Sequence, residues 1–339
     1  MRGRIMKKII NDPFKVVDEM IGGILKAYPQ HLKPAQGSKR ALVRADAPIK
    51  GKVAIVTGGG TGHIPVFLGY VGKGLCDGVS IGNVFSSPSA EDILAATRVA
   101  NGGEGVFYLF GNYGGDIMNF DLAAEISEAE DIHIEKALVK DDIASAPPEE
   151  IDRRRAVAGL FFAYKITGAK AEEGATINEV KSIAEKVIFN TRSIGVALSP
   201  CIVPAVGNPT FTIGEDEMEL GMGIHGEPGV ERTKLKTANK IAEMMTMKII
   251  NDLPFQKGDE VAVLVNGLGA TPPEELYILW NRTHDILVDR SIKVYKCYVG
   301  EYATSLEMAG CSISLLRLDE SLKKLLDAPA YSPFLLQWK

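Results

Sequence analysis

The chain has 339 residues, 46% of them apolar and 24% charged. That mixture suits a globular protein of two medium domains whose core needs neither disulfides nor a structural metal. A formal net charge of −5 argues against a nucleic-acid surface, which wants a basic patch, and no window approaches the ~18 unbroken apolar residues of a membrane span. The opening MRGRIMKKII is basic but leads into no apolar stretch before Asp12-Pro13, so it does not read as a signal peptide. Met6 reads as the natural start, with the residues before it an alternative start or an added remnant. Residues 53–57 (VAIVT) form a short β-branched run ending in glycines, the pattern of a buried strand feeding a turn. A helix is expected at 90–99, entered through Ser87-Pro88-Ser89. Residues 105–110 (GVFYLF) repeat the strand pattern, and another strand is expected at 133–139. Helices follow at 153–167, with small and apolar residues on one face, and at 176–190, where Ile177, Val180, Ile183, Ala184, Val187 and Ile188 have amphipathic spacing.

A domain boundary is placed at this point, giving an N-terminal unit of 1–190 and a C-terminal unit of 191–339. The second unit reads as strands at 194–198 and 218–224, a helix at 238–250, a buried strand at 261–265 (VAVLV) and strands at 293–299 and 312–318. A short helix is expected between the last two, at 303–308. The fold class is therefore α/β: two α/β domains, each a mixed sheet flanked by helices, with Gly-rich loops at strand ends, where open α/β sheets bind ligands. Cys76, Cys201, Cys297 and Cys311 are scattered, with no C-x-x-C pair and no histidines at zinc spacing. They are expected as reduced thiols of a cytoplasmic protein.

Four loops draw attention. GGGTGH, residues 58–63, is neither a P-loop nor a dinucleotide fingerprint, because His63 stands where the last glycine belongs. It is either a tight turn with a polar histidine cap or a place where backbone N–H groups meet an oxygen-rich ligand. The hydroxyls of FSSPS, residues 85–89, either bind a ligand or cap the helix that follows. Asp116, after GNYGG, is either a loop brace or a carboxylate placed to take a proton from a hydroxyl. GMGIHGEPG leaves His225 sterically open among glycines, where an imidazole can serve as metal ligand, general base or nucleophile. A metal is disfavoured because no second histidine lies at ligand spacing. His31, His133 and His284 have no such setting and are read as incidental.

Taken together, GGGTGHIP, VFSSPS, GNYGGDIMNF, GMGIHGEPG and LVNGLGATP resemble, in order, the motifs of dihydroxyacetone kinase substrate-binding subunits, the DhaK type. The resemblance extends from about Met6 to LLRLDESLKKLLDAPAYSP near the C-terminus. It implies a two-domain homodimer that binds a short ketose as a hemiaminal on His225. It further implies that Asp116 is the acid/base on the phosphorylated hydroxyl and that His63 orients the substrate. Gly60, Thr61, Gly62, Ser87, Gly111 and Gly223 fall at matching pocket positions. The chain shows no nucleotide signature and no acidic cluster for magnesium. The resemblance accordingly implies that ATP or ADP with Mg sits on a separate DhaL-type partner, with a phosphotransferase-system protein as a further phosphoryl donor.

Two positions depart from the family pattern. Ile64 stands where many members have Glu, and Gly111 where many have Lys. Losing an acid and a base together leaves a less charged, roomier pocket, which suggests a longer ketose such as erythrulose. A competing reading is a ketose-sensing co-activator of a transcription regulator, as some relatives in the family are. A nicotinamide dehydrogenase is set aside because the first loop lacks the fingerprint.

Overall fold

The apolar runs at 53–57 and 105–110 become neighbouring interior strands of the first sheet. The structure, a computed structural model, describes residues 7–338, so the start expected at Met6 lies outside the described residues. In chain order the first half contains α1 (Val16–Ala27), β1 (Leu32–Pro34), β2 (Ala41–Arg44), β3 (Ala54–Thr61), β4 (Gly78–Val84), α2 (Ala90–Ala100), β5 (Val106–Gly111), α3 (Gly114–Ala129), β6 (Ile134–Val139), α4 (Leu160–Glu172) and α5 (Ile177–Phe189). The sheet order is β1-β2-β4-β3-β5-β6, parallel from β4 to β6 and antiparallel at the β1-β2 edge. Ser89 caps α2 by accepting from the Asp92 amide, and Thr176 with Glu179 forms a capping box on α5.

The second half contains β7 (Thr191–Ser199), β8 (Glu217–Leu220), β9 (Glu231–Lys234), α6 (Ala238–Asp252), β10 (Glu260–Gly267), α7 (Pro273–Asp289), β11 (Lys293–Gly300), β12 (Ala309–Leu318), α8 (Glu320–Asp327), and the hairpin β13 (Ala330–Ser332) and β14 (Leu335–Gln337). Its sheet runs β11-β10-β12-β7-β8-β9, with β10-β11 parallel and the other pairs antiparallel. Both large sheets are mixed and flanked by helices, as the sequence implies.

Side-chain alternation along β10 and β12 builds the layers. Val261, Val263, Val265, Ile313 and Leu315 face α6 and α7. Ala262, Leu264 and Leu316 face the other way, into a core shared with α4 and with Ile55, Val79 and Phe107 of the first sheet. Helix α4 is thus buried on every side, with Phe161, Phe162 and Tyr164 fully inside. Leu322, Leu325 and Leu326 of α8 join the same core, and the buried Lys165 of α4 donates to the Leu325 carbonyl at 2.9 Å. The C-terminal segment therefore packs back onto the first half.

Several expectations are corrected. The helix expected at 153–167 begins only at Leu160: Arg153 ends a separate 3-10 helix, Pro148–Arg153, and the buried Asp141 carboxylate captures the amides of Val157 and Gly159 at 2.9 and 2.8 Å. The strand expected at 218–224 ends at Leu220, where Gly221 turns the chain at φ +81°. The helix expected at 303–308 is absent. Its amides are taken instead by Asn266 Oδ1 (Tyr302 and Ala303), by His63 O (Thr304), by Leu268 O (Ser305) and by Gly62 O (Leu306). The glycines at 58–60 lie in β3 rather than in a loop, paired with β4. A Cβ at Gly59 would stand 2.2 Å from the Phe67 ring, and one at Gly60 would stand 2.6 Å from the Ser86 amide. Close packing, more than an open anion cradle, accounts for these two residues. Helices α1, α3, α7 and α8 were not anticipated.

Candidate functional site

Three segments meet where the ends of β3 and β5 face the turn after β8. The first carries His63. Its ring is wholly buried, and Nδ1 lies 2.8 Å from the Thr304 carbonyl. A carbonyl only accepts, so Nδ1 carries the hydrogen and Nε2 the lone pair. That Nε2 is buried and has no partner among the described residues. Burial first, then the nearby His225, lowers the His63 pKa to about 3, so the ring is neutral. Phe85 stacks on it with centroids 4.9 Å apart and planes within 13°.

The second segment carries Asp116 in the first turn of α3. Only 4% of the residue is exposed, and Oδ1 is buried without a partner among the described residues. Burial raises its carboxyl to about 6, with the Ser87 hydroxyl and the His225 charge pulling the other way. Ser87 lies against this turn, since a Cβ at Gly115 would stand 2.6 Å from Ser87 Oγ. The two readings of FSSPS therefore divide between its serines: Ser89 caps α2, while Ser87 borders the carboxylate.

The third segment carries His225. Its ring is partly exposed, with centroid distances of 4.8 Å to His63, 5.0 Å to Tyr113 and 5.2 Å to Phe85. Glu227 curls back so that Oε1 accepts from Nδ1 at 2.9 Å and Oε2 accepts from the His225 amide at 2.9 Å. Gly223 makes this curl possible, because a Cβ there would stand 2.1 Å from Glu227 Oε2. Gly226 turns the chain at φ +86°. Bare backbone on both sides of His225 is what lets a carboxylate two residues away reach the ring.

The structure thus brings His63, Asp116, His225 and Ser87 to one place. Thr61 and Gly62 border it through Phe85, whose amide donates to the Thr61 carbonyl at 3.0 Å and whose ring a Cβ at Gly62 would meet at 2.6 Å. Gly111 ends β5 beneath Tyr113, with room for a Cβ only at 3.0–3.1 Å from Ala156 and Tyr113. Two buried acceptors with no partner, beside an imidazole with a free nitrogen, suit a small molecule rich in hydroxyl groups. Sequence reasoning missed the functions of Phe85, Tyr113, Glu227 and Thr304. Glu227 had a signal, an acid two residues after an isolated histidine, whereas Thr304 acts through its backbone and had none. Among the described residues no three His, Cys, Asp or Glu side chains gather as metal ligands, and no helix is long and apolar enough to cross a membrane.

Fold and site together define an α/β protein with two imidazoles and a high-pKa carboxyl gathered at one place. The chain belongs to the Dak1 domain family, whose model matches residues 22–334. It is 42% identical, over 97% of its length and 99% of the relative's, to the PTS-dependent dihydroxyacetone kinase 2 dihydroxyacetone-binding subunit DhaK of Listeria innocua. It is also 42% identical to the D-erythrulose kinase of Mycolicibacterium smegmatis, with 97% of this chain but 56% of that protein covered. Among solved structures, the dihydroxyacetone kinase operon co-activator Dha-DhaQ superposes with a TM-score of 0.88 at 32% identity, covering 94% of this chain and 98% of that one. The native dihydroxyacetone kinase of C. freundii gives 0.88 at 30% identity, covering 98% of this chain and 61% of that one. The family suggested by the loop motifs is the family to which the chain belongs.

Proposed function

We propose that the chain is the substrate-binding subunit of a ketose kinase, with residues 1–190 and 191–339 as its two units. It holds dihydroxyacetone, or a similar short ketose such as erythrulose, as a hemiaminal on His225. The observation that carries this reading is the pair of buried, unpartnered acceptors, His63 Nε2 and Asp116 Oδ1, beside His225. A triose has only about six non-hydrogen atoms, too few for contacts alone to hold it firmly. A reversible C–N bond supplies the anchor and selects for a carbonyl, so glycerol is refused. His63 Nε2 accepts a hydrogen bond from a substrate hydroxyl and orients it. Asp116 takes the proton of the terminal hydroxyl as that oxygen attacks phosphorus. The phosphoryl group comes from ATP, or from ADP rephosphorylated by a phosphotransferase-system protein, bound with Mg on a DhaL-type partner. Positioning and charge stabilisation dominate such transfers.

The kinase reading is tested by mixing the chain with a DhaL-type partner and Mg-ATP and following phosphorylation of dihydroxyacetone and erythrulose. Turnover that collapses in Asp116→Asn supports it. No turnover with a bound, active partner sinks it and favours the second reading, a ketose-sensing co-activator, which the likeness to Dha-DhaQ keeps in view. The departures at Ile64 and Gly111 favour erythrulose over dihydroxyacetone, in keeping with the likeness to the erythrulose kinase. Equal or poorer turnover of erythrulose would remove that preference.

A further inference from the structure

We propose that Glu227 is the positioning residue that selects Nε2 of His225 as the nucleophilic nitrogen and carries the balancing negative charge when the ring bonds to the ketose. The inference rests on the covalent reading above and says which atom forms the bond and why. One carboxylate grips one residue twice, through the Nδ1 contact and the backbone amide, both at 2.9 Å. A carboxylate only accepts, so Nδ1 must carry the ring hydrogen and the lone pair must sit on Nε2. The opposite tautomer would set the Nδ1 lone pair against a carboxylate oxygen.

The grip is itself braced. Gly223 donates to the Glu227 carbonyl at 3.0 Å, and Arg155 Nη1 stands 4.0 Å from Oε2. Arg155 is in turn held by the buried Asp142 at 2.8 Å. Burial pushes the Glu227 carboxyl up, but the His225 hydrogen bond and charge, a backbone amide and Arg155 together hold it down at about 2. At neutral pH it is therefore an anion. The rings of His63, Phe85 and Tyr113 surround His225 at 4.8–5.2 Å and oppose rotation.

The Nε2 lone pair forms the C–N bond, the carbonyl π pair moves onto oxygen, and that oxygen takes one proton from solvent to become a hydroxyl. The ring is left cationic, with Nδ1–H still donated to Glu227. The carboxylate thus stabilises the adduct more than the free ketose, which is the requirement for an anchor formed only when a carbonyl is present.

The test is imidazole ¹⁵N NMR of the intact protein without ketose, with His225 assigned by its loss in His225→Ala, followed by titration with dihydroxyacetone. The wild-type ring is expected as the Nδ1–H tautomer alone. Glu227→Gln is expected to give mixed tautomers and dihydroxyacetone affinity lower by about ten- to a hundredfold, the range for losing a charge-assisted hydrogen bond. Glu227→Asp, which keeps the charge at shorter reach, should restore part of both and serves if the Gln variant does not fold. A Glu227→Gln ring that keeps the single Nδ1–H tautomer, or wild-type affinity, overturns the proposal. The tautomer is read before ketose is added, so the two readings fail separately. A wild-type Nδ1–H ring that forms no adduct would sink the covalent reading while supporting the positioning role.

Discussion

Replacing Asp116 by Asn should abolish turnover and, at neutral pH, make the protein more stable. The carboxyl is 4% exposed and one oxygen has no partner, and burial raises its pKa from 3.8 to about 6. In the unfolded chain it ionises near 3.8. Between these two values the folded state binds more protons than the unfolded one, so stability falls as pH rises across that window and stays lower above it. The full cost of the buried charge is about 2–3 kcal/mol, and an amide of the same shape escapes it. Urea unfolding of the wild type and Asp116→Asn at intervals from pH 4 to 8 reads the difference directly. The two should coincide near pH 4 and diverge to about 2–3 kcal/mol in favour of the variant by pH 8. Phosphorylation measured beside it should drop by about 100-fold or more, the usual loss of a general base. A stability difference that does not change with pH would refute the argument, because the carboxylate would then not be paying for its burial.

Other sites give sharp expectations. Gly223→Ala places a Cβ on Glu227 and should weaken dihydroxyacetone binding by about tenfold or more, as the ring loses its brace; titration by calorimetry checks this. Phe85→Ala removes the ring stacked on His63 and should raise the KM for ketose by about five- to tenfold, the equivalent of an aromatic pair; steady-state kinetics reads it. Arg154 is fully buried and bridges to Asp252, which also binds Arg192. Arg154→Ala leaves a buried carboxylate half-compensated and should cost about 3–5 kcal/mol in urea unfolding.

The sequence made the strands legible where burial on both faces forces a β-branched run, as at 53–57 and 261–265. It made the site legible where backbone is too bare for mere packing, as around His225. It hid what long-range contacts decide. Residues 303–308 have helical composition, but Asn266 and the ends of β3 take their amides. The start of α4 was misplaced because Asp141 captures amides 16 and 18 residues further on that a local pattern assigns to a helix. Helix α3 was obscured by the glycines that open it, and its apolar residues are split between a buried side and an exposed one that carries Met118 and Leu122. The glycines of β3 suggested an anion cradle by type, whereas two of them answer to Phe67 and the Ser86 amide, which only the fold brings near.

The central claim is the covalent bond between His225 and a ketose. Dihydroxyacetone labelled with ¹³C at its carbonyl carbon, mixed with excess protein, tests it most directly by NMR. The account predicts that the ketone resonance gives way to that of a saturated carbon bearing oxygen and nitrogen, and that His225→Ala leaves the ketone signal intact. A bound ketose whose carbonyl resonance persists in the wild type would contradict it.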